Sequence, residues 1–202
     1  MANEIKKLKQ KILSLCEMVQ LSLKQAVKSV GDRDAELAKH IMDGDEKIDE
    51  MEVEIEEECL KLLALYQPVA ADLRFIVTAL KINNDLERIG DLTVNIAERS
   101  RFLSAHPEVE IPQMLSEMAG KTKEMLDNSI ESLVNMDSGG AYNVCIADEE
   151  VDILNSRMYK YVKENIVAKP DDIETLIHLL SCARHLERIA DLATNIAEDT
   201  IY

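Results

Sequence analysis

The sequence has no tryptophan, and aromatic residues make up only 3% of its 202 residues. Glycine (6) and proline (4) are also scarce. Sheets are built from β-branched and aromatic residues gathered into short runs between turn residues, and no such pattern is seen. Leucine, isoleucine, alanine, glutamate and lysine dominate instead, and this mixture favours helices. The composition therefore predicts an all-α fold.

Cysteines at metal-binding or redox spacing are also missing. The four cysteines are far apart, form no C-x-x-C pair and lie in apolar helical patterns; they are Cys16, Cys59, Cys145 and Cys182. We predict buried free thiols in a reducing cytosol. No stretch approaches the roughly 18 apolar residues that span a bilayer. Charged residues also interrupt the apolar core that a signal peptide would need. We expect a cytoplasmic protein with no direct membrane insertion.

The sequence has few basic residues, with 23 lysines and arginines against 39 acidic residues and a formal net charge of −16. A surface this acidic repels phosphate backbones, which argues against nucleic-acid binding. It suits basic protein partners or cations, or it simply keeps a helical protein in solution. The sequence also lacks a Ser/His/Asp set, a P-loop and a glycine-rich phosphate cradle. We therefore expect no enzymatic activity.

Apolar residues at three- and four-residue steps predict three helices in the first half. The first ends at Gly31, which acts as a C-terminal stop. The second begins at an N-cap, Asp32 or Asp34, and runs for roughly 30 residues to about Tyr66. The third has Pro68 in its first turn and ends near residue 102.

Three more helices are predicted in the second half. The proline-flanked segment 106–112 is the expected boundary between the halves. The fourth helix follows it, a turn at 137–140 leads to the fifth, and Lys169-Pro170-Asp171 separates the fifth from the sixth. Short turns make neighbouring helices fold back on each other. The sequence thus predicts two tandem, pseudo-symmetric three-helix bundles, formed by residues 1–105 and 109–202.

A thirteen-residue motif occurs twice, at Leu86–Glu98 and Leu186–Glu198, with ten identical positions. Self-similarity of this kind is typical of a duplicated unit. Each copy places Glu, Asp and Asn four residues apart, so the three side chains share one helix face. Like charges at this spacing destabilise an isolated helix by a few tenths of a kcal/mol, which calls for a compensating positive charge.

Two further acidic pairs lie on the second and fifth predicted helices, with an offset of 103 residues between them. Antiparallel packing within each half lets these pairs face the pairs of the repeated motif. Converging carboxylates form an oxygen-only site for divalent or trivalent metal ions, since no His or Cys candidate accompanies them. The candidate metal ligands are Asp45, Asp49, Glu87 and Asp91 in the first half, and Asp148, Asp152, Glu187 and Asp191 in the second.

Two other interpretations of these acids remain open. A solvated acidic face is the commonest meaning of such a pair, and Arg88 and Arg188 supply basic neighbours. Ferritin-like di-iron proteins also bind metal through helix carboxylates, but they use a Glu-x-x-His spacing. The four histidines do not have that spacing, and we interpret them as structural or surface residues; they are His40, His106, His178 and His185.

The whole chain resembles the PhoU family of accessory regulators of phosphate-specific transport. The segments that carry the resemblance are Asn83–Asp91, Asn95–Glu98, Gln67–Arg74 and, in the second half, His185–Asp191. One departure is that the second half lacks the Asp-Leu-Arg found at Asp72–Arg74. A partner contact made by Arg74 would therefore exist in one half only.

The resemblance implies two three-helix bundles, a homodimer, and metal bound by the E/D-x-x-x-D pairs named above. The implied metal is iron in a multinuclear cluster, or alternatively zinc, manganese or magnesium. Weaker candidate ligands are Asn95, Asn195, Glu98 and Glu198. The implied role is cytoplasmic negative regulation of phosphate uptake, coupling the phosphate ABC transporter to a membrane sensor histidine kinase. The competing hypotheses are a ferritin-like metal store or metal-dependent protein, and a metal-free structural adaptor.

Overall fold

The computed structural model describes residues 1–106 and 109–201, and every regular element in these ranges is helical. The helices are α1 (Ala2–Asp32), α2 (Ala35–Gly44), α3 (Glu46–Tyr66), α4 (Ala70–Ser104), α5 (Gln113–Asn135), α6 (Ser138–Ala168) and α7 (Ile173–Ile201), with a 3₁₀ turn at Pro170–Asp172 before α7. The all-α prediction is confirmed. Pro107 and Glu108, in the predicted boundary between the halves, lie outside the described residues, as does Tyr202.

The long second helix of the prediction is interrupted at Asp45, which separates α2 from α3. Asp45 itself keeps helical dihedral angles (φ −62°, ψ −40°), so the break is local. The N-cap is Asp34, one of the two predicted candidates, and its side chain accepts a hydrogen bond from the Leu37 amide at 2.9 Å. The predicted three helices of the first half thus become α1, the α2–α3 pair and α4.

The predicted stop at Gly31 is wrong, because α1 continues to Asp32 and ends at Arg33. Arg33 adopts a left-handed conformation (φ 53°), which is uncommon for a residue with a side chain. Its guanidinium donates to the carbonyl oxygens of Leu103, His106 (2.9 Å) and Val109. The cap itself is closed by the Arg33 and Asp34 amides, which donate to the Val30 and Ser29 carbonyls at 3.3 and 2.9 Å. The three guanidinium bonds tie this cap to the end of α4.

Two other predicted boundaries are shifted. Pro68 precedes α4 rather than lying in its first turn, because left-handed Gln67 (φ 44°) ends α3 and extended Val69 precedes the helix. The predicted turn at 137–140 is largely helix. Asp137 is the N-cap of α6, its carboxylate accepting from the Gly139 amide at 3.0 Å, and α6 begins at Ser138.

The predicted pair of three-helix bundles is confirmed, and the two bundles share one core. In the first bundle α4 packs on α1, α2 and α3; in the second α5, α6 and α7 pack on one another. Between them α4 packs along α7 and α1 along α5. Contacts from Lys81 to Asp199 and from Arg99 to Ser181 show that α4 and α7 are antiparallel. Buried apolar residues from all seven helices form a continuous cluster.

All four cysteines are free, as predicted, and three of them are buried; Cys145 is only partly buried. None of the helices in residues 1–106 and 109–201 is both long and apolar enough to cross a membrane.

Helix α3 packs closely on α4 at Gly90. A Cβ atom added there would lie 3.0 Å from Cγ2 and 3.3 Å from Cδ1 of Ile48. The corresponding positions of the second bundle hold Ala190 and Val151, both fully buried. The second bundle thus has one more carbon on the α7 side and one fewer on the α6 side. Such volume-conserving exchanges are how close-packed interiors tolerate change.

We expect Gly90→Ala to destabilise the chain by about 1 kcal/mol, because overpacking against Ile48 outweighs the helix-propensity gain of alanine. Adding Ile48→Val should recover part of that loss, since it removes Cδ1 (3.3 Å) and leaves Cγ2 (3.0 Å). Chemical denaturation of the four proteins of the double-mutant cycle measures the coupling. Gly120→Ala is the control, since nothing lies within 4 Å of its added Cβ. Equal destabilisation by Gly90→Ala with and without Ile48→Val would contradict this packing account.

Candidate metal site

Three carboxylates of the first bundle converge between α3 and α4. Asp45 and Asp49 lie one turn apart at the start of α3, and Asp91 follows Gly90 on α4. One oxygen from each of the three carboxylates lies within 4.8 Å of the other two. Asp45 is partly buried, whereas Asp49 and Asp91 are exposed. Two helices therefore supply a cluster of oxygen ligands that opens to solvent on one side.

The environment of Asp45 is unfavourable for a charged carboxylate. Its Oδ1 is buried and has no hydrogen-bond partner among the described residues. This atom lies 3.8 Å from the position of an added Gly90 Cβ, so the small residue leaves room for it beside α4. Burial, followed by the charges of Asp49 and Asp91, raises the pKa of Asp45 to about 6. A buried carboxylate oxygen with no partner is costly, and a bound cation would satisfy it.

The residues present therefore fit a hard metal ion. Aspartate oxygens suit magnesium, manganese or calcium, and carboxylate sites also hold iron in helical bundles. The three converging side chains leave further coordination positions for water or additional protein oxygens.

Glu87, the fourth predicted ligand of the first half, lies beside this cluster but outside the three-oxygen group. Its pKa is raised by burial first, and then by the charges of Asp91, Glu52 and Asp49. Glu87 thus shares the electrostatic field of the cluster.

Glu52 is a member of this acidic surface that sequence reasoning missed. The Asn83 side-chain amide donates to its backbone oxygen (2.9 Å) and to its Oε1 (3.1 Å). Burial raises the pKa of Glu52, and the charges of Glu56 and Asp49 raise it further. The available signal was spacing, since Asp45, Asp49 and Glu52 stand at i, i+4 and i+7 and share one helix face.

The predicted ligands of the second half also lie together. Burial, and then Asp152, Asp191 and Glu187, raise the pKa of Asp148 to about 6. Asp148 and Glu187 are partly buried, and Asp152 and Asp191 are exposed. This second acidic set repeats the burial pattern of the first acidic set, which consists of Asp45, Asp49, Glu87 and Asp91. However, in residues 1–106 and 109–201 only the first set has three oxygens within 4.8 Å. The two predicted sites thus occupy similar positions in the two bundles, but the carboxylate oxygens come closer together in the first.

A further difference between the halves concerns the polar neighbours. The positions of Glu52 and Asn83 correspond to Asn155 and Ala183 in the second bundle. The second set therefore lacks the fifth acid, and Asn155 Oδ1 is buried and has no hydrogen-bond partner in the described part of the chain.

The weaker candidate ligands are turned to other contacts or to solvent. The Asn95 amide donates to the Asp91 backbone oxygen at 2.8 Å, and Glu98 lies 3.8 Å from Arg99. Asn195 and Glu198 are exposed. Among the histidines, His106 and His178 stack on the Phe102 ring, with centroid separations of 4.2 and 3.8 Å.

The two acidic sets lie on either side of a groove between α4 and α7, with a volume of about 440 Å³. It is lined by Arg88, Asp91, Leu92 and Asn95 and by their repeat equivalents Arg188, Asp191, Leu192 and Asn195. Asp91 and Asp191 of the repeated motif therefore belong both to the acidic sets and to the lining of this groove.

We expect Asp45→Asn to stabilise the metal-free chain at pH 7, measured by thermal unfolding in a chelator. The pKa of Asp45 is about 6 in the folded chain, against about 3.9 when unfolded. The folded state therefore binds the proton more tightly, and its stability falls as pH rises through this range. Removing the charge should raise the free energy of unfolding by roughly 1 kcal/mol at pH 7, after allowance for solvent screening. Below about pH 4 it should not change that free energy, because the carboxyl is then protonated in both states.

The control for this substitution is Glu57→Gln on the exposed part of α3, which should change little at either pH. Destabilisation by Asp45→Asn at pH 7, or a gain in thermal stability that persists at pH 4, would contradict the account of Asp45 as an unpaired, partly buried charge.

Comparisons with known proteins agree over the whole chain. The family model of the PhoU domain matches twice, over residues 12–100 and 115–200. The phosphate-specific transport system accessory protein PhoU homolog of Aquifex aeolicus is 37% identical over 185 residues, which cover 92% of this chain and 84% of that protein. PhoU homolog 1 of Thermotoga maritima is 34% identical over 200 residues, covering 98% and 86%.

The fold agrees as well. The crystal structure of PhoU from Pseudomonas aeruginosa matches with a TM-score of 0.97 at 30% identity, covering 100% of this chain and 97% of that one. The resemblance noted in the sequence is thereby confirmed, and the chain belongs to the PhoU family.

Proposed function

We propose that this chain is a metal-binding cytoplasmic adaptor and negative regulator of phosphate uptake and phosphate-starvation signalling. The relatives described above are named as accessory proteins of phosphate-specific transport. The observation that carries the metal-binding part is the convergence of Asp45, Asp49 and Asp91, with one buried carboxylate oxygen lacking a partner. The partners under this proposal are the phosphate ABC transporter and a membrane sensor histidine kinase, and the working form is a homodimer.

The residues of the first set act as a clamp between two helices in this proposal. Asp45 and Asp49 project from α3 and Asp91 from α4, so their mutual repulsion pushes the helices apart. A bound ion, whether iron, zinc, manganese or magnesium, supplies positive charge that cancels this repulsion. The carboxylates then hold α3 and α4 in one relative position, which shapes the surface offered to the partners.

The second set has the same role at the α6–α7 junction, through Asp148, Asp152, Glu187 and Asp191. Its looser convergence predicts weaker binding than at the first set, because multidentate affinity depends on ligands that are already in place. The two repeats, residues 1–105 and 109–202, thus carry a tighter and a weaker site. No catalytic step is required of either.

We expect protein purified without chelator to contain at least one equivalent of metal per bundle, with less in a Glu87→Gln/Asp91→Asn variant. Elemental analysis gives the stoichiometry directly. The control is Glu57→Gln/Glu131→Gln, which removes the same charge from exposed positions of α3 and α5. Absence of metal from folded wild-type protein would remove the metal-binding part of the proposal.

The regulatory part is tested in cells that lack this chain. We expect a phosphate-starvation reporter to become active even in high phosphate, and to be repressed again by the wild-type gene. An Asp49→Asn/Glu87→Gln variant should restore repression incompletely if metal shapes the partner surface. A reporter that stays repressed without the chain would contradict the regulatory role. Full repression by the variant would contradict the role of the metal.

A further inference from the structure

The groove between α4 and α7 holds two arginines at equivalent positions. Because the two helices are antiparallel and carry the same motif, Arg88 and Arg188 are related by the approximate twofold symmetry of the repeat. Both side chains are exposed and both line the same groove. Its floor contains Leu92 and Leu192, which are only 6% and 5% exposed.

Neither guanidinium is committed to a protein partner in residues 1–106 and 109–201. Arg88 has no hydrogen bond and no ion pair within 4.0 Å, although Asp85 and Glu87 lie in its electrostatic field. Arg188 likewise interacts with Asp191 only through its field. By contrast Arg99, at one end of the same helix interface, donates to Ser181 and pairs with Glu98.

Two guanidiniums that line one groove are suited to a small oxyanion. Each presents a planar fork of N–H donors that matches the oxygens of phosphate and binds them by short, charge-assisted hydrogen bonds. The volume of about 440 Å³ accommodates such an ion with its remaining water. Asn95 and Asn195 add neutral polar side chains to the same lining, and the Asn95 amide also donates to the Asp91 backbone oxygen.

Asp91 and Asp191 oppose this use of the groove while they are charged. With both ionised, the lining carries two positive and two negative side chains and has no net attraction for an anion. Once the two carboxylates are neutralised, the guanidiniums are the only charges among the lining residues. The affinity of the groove for an anion therefore depends on the charge state of the acidic sets.

We propose that this groove binds inorganic phosphate between Arg88 and Arg188, and that binding strengthens when Asp91 and Asp191 are neutralised. The choice of phosphate, and of bound cations as the natural neutralising agent, rests on the proposed function. The site then links the two acidic sets to an anion on the symmetry axis of the repeat. Cation and phosphate binding become mutually favourable, as reciprocal linkage requires.

The test replaces the cation by mutation, so that it needs no metal. Asp91→Asn/Asp191→Asn neutralises the two carboxylates with nearly unchanged shape. In the presence of a chelator, equilibrium dialysis against labelled phosphate should show binding about tenfold tighter or more than in the wild type. Adding Arg88→Gln/Arg188→Gln should abolish that gain. Arg88→Lys/Arg188→Lys keeps the charge without the fork and should give intermediate affinity.

A charge-matched control is Arg157→Gln/Arg184→Gln, which removes two exposed arginines outside the groove lining. In the neutralised background it should leave phosphate affinity unchanged. Thermal unfolding verifies that each variant is folded. The proposal is overturned if the neutralised protein binds no phosphate at millimolar concentration, or if the groove and control arginines matter equally.

The same experiment separates this proposal from the metal proposal. Phosphate binding through the arginine pair in a chain whose wild type purifies without metal would support the groove and refute the metal site. Metal bound at the acidic sets, with phosphate binding that is unchanged by substitution of Arg88 and Arg188, would support the metal site and refute the groove.

Discussion

The close approach of α3 to α4 at Gly90 is the contact on which the acidic cluster depends. A Cβ added there would lie 3.0 Å from Ile48 Cγ2, so the absence of a side chain at residue 90 accommodates the close approach of the two helices. The approach brings the first turn of α3 over the middle of α4. Asp45, Asp49 and Asp91 then meet although they come from two helices, and one oxygen of Asp45 is buried without a partner. Packing thus gathers three carboxylates, one of them partly buried, at the junction of two helices.

Duplication gives the molecule two similar halves, and substitutions have made them chemically different. The first half adds Glu52 and Asn83 to its acidic surface, where the second has Asn155 and Ala183. The ends of the α4–α7 interface differ in the same way. One end pairs Lys81 with Asp199 across 2.8 Å, whereas the other joins Arg99 to a serine. A scaffold with repeated packing can therefore carry sites of unequal strength.

Much of the fold could be predicted from the sequence because helical periodicity and the repeated motif are local signals. The all-α class, the two bundles and the placement of Asp45 and Asp49 opposite Asp91 all follow from spacing and antiparallel packing. The helix end at Arg33 could not be predicted, because its left-handed cap is closed by local backbone bonds to Val30 and Ser29 and uses an arginine where a glycine is the usual signal. The nearby Gly31 therefore pointed to the wrong residue.

The unequal convergence of the two acidic sets could not be predicted either. Spacing is the same in both halves, and the difference lies in distances of a few ångströms between side chains on separate helices. The groove between the halves could not be predicted from the sequence, because it is formed by the packing of α4 on α7 rather than by any one segment. In the sequence alone, Arg88 and Arg188 are recognisable only as basic neighbours of the acids. Their common position becomes apparent once the two motifs lie side by side.

The most direct test of the cation site is anomalous scattering from crystals grown with manganese, with data collected to distinguish that element. The account predicts a peak at coordination distance from the carboxylates of Asp45, Asp49 and Asp91, stronger than any peak at Asp148, Asp152 and Asp191. A crystal that binds manganese elsewhere, with no peak between α3 and α4, would contradict it.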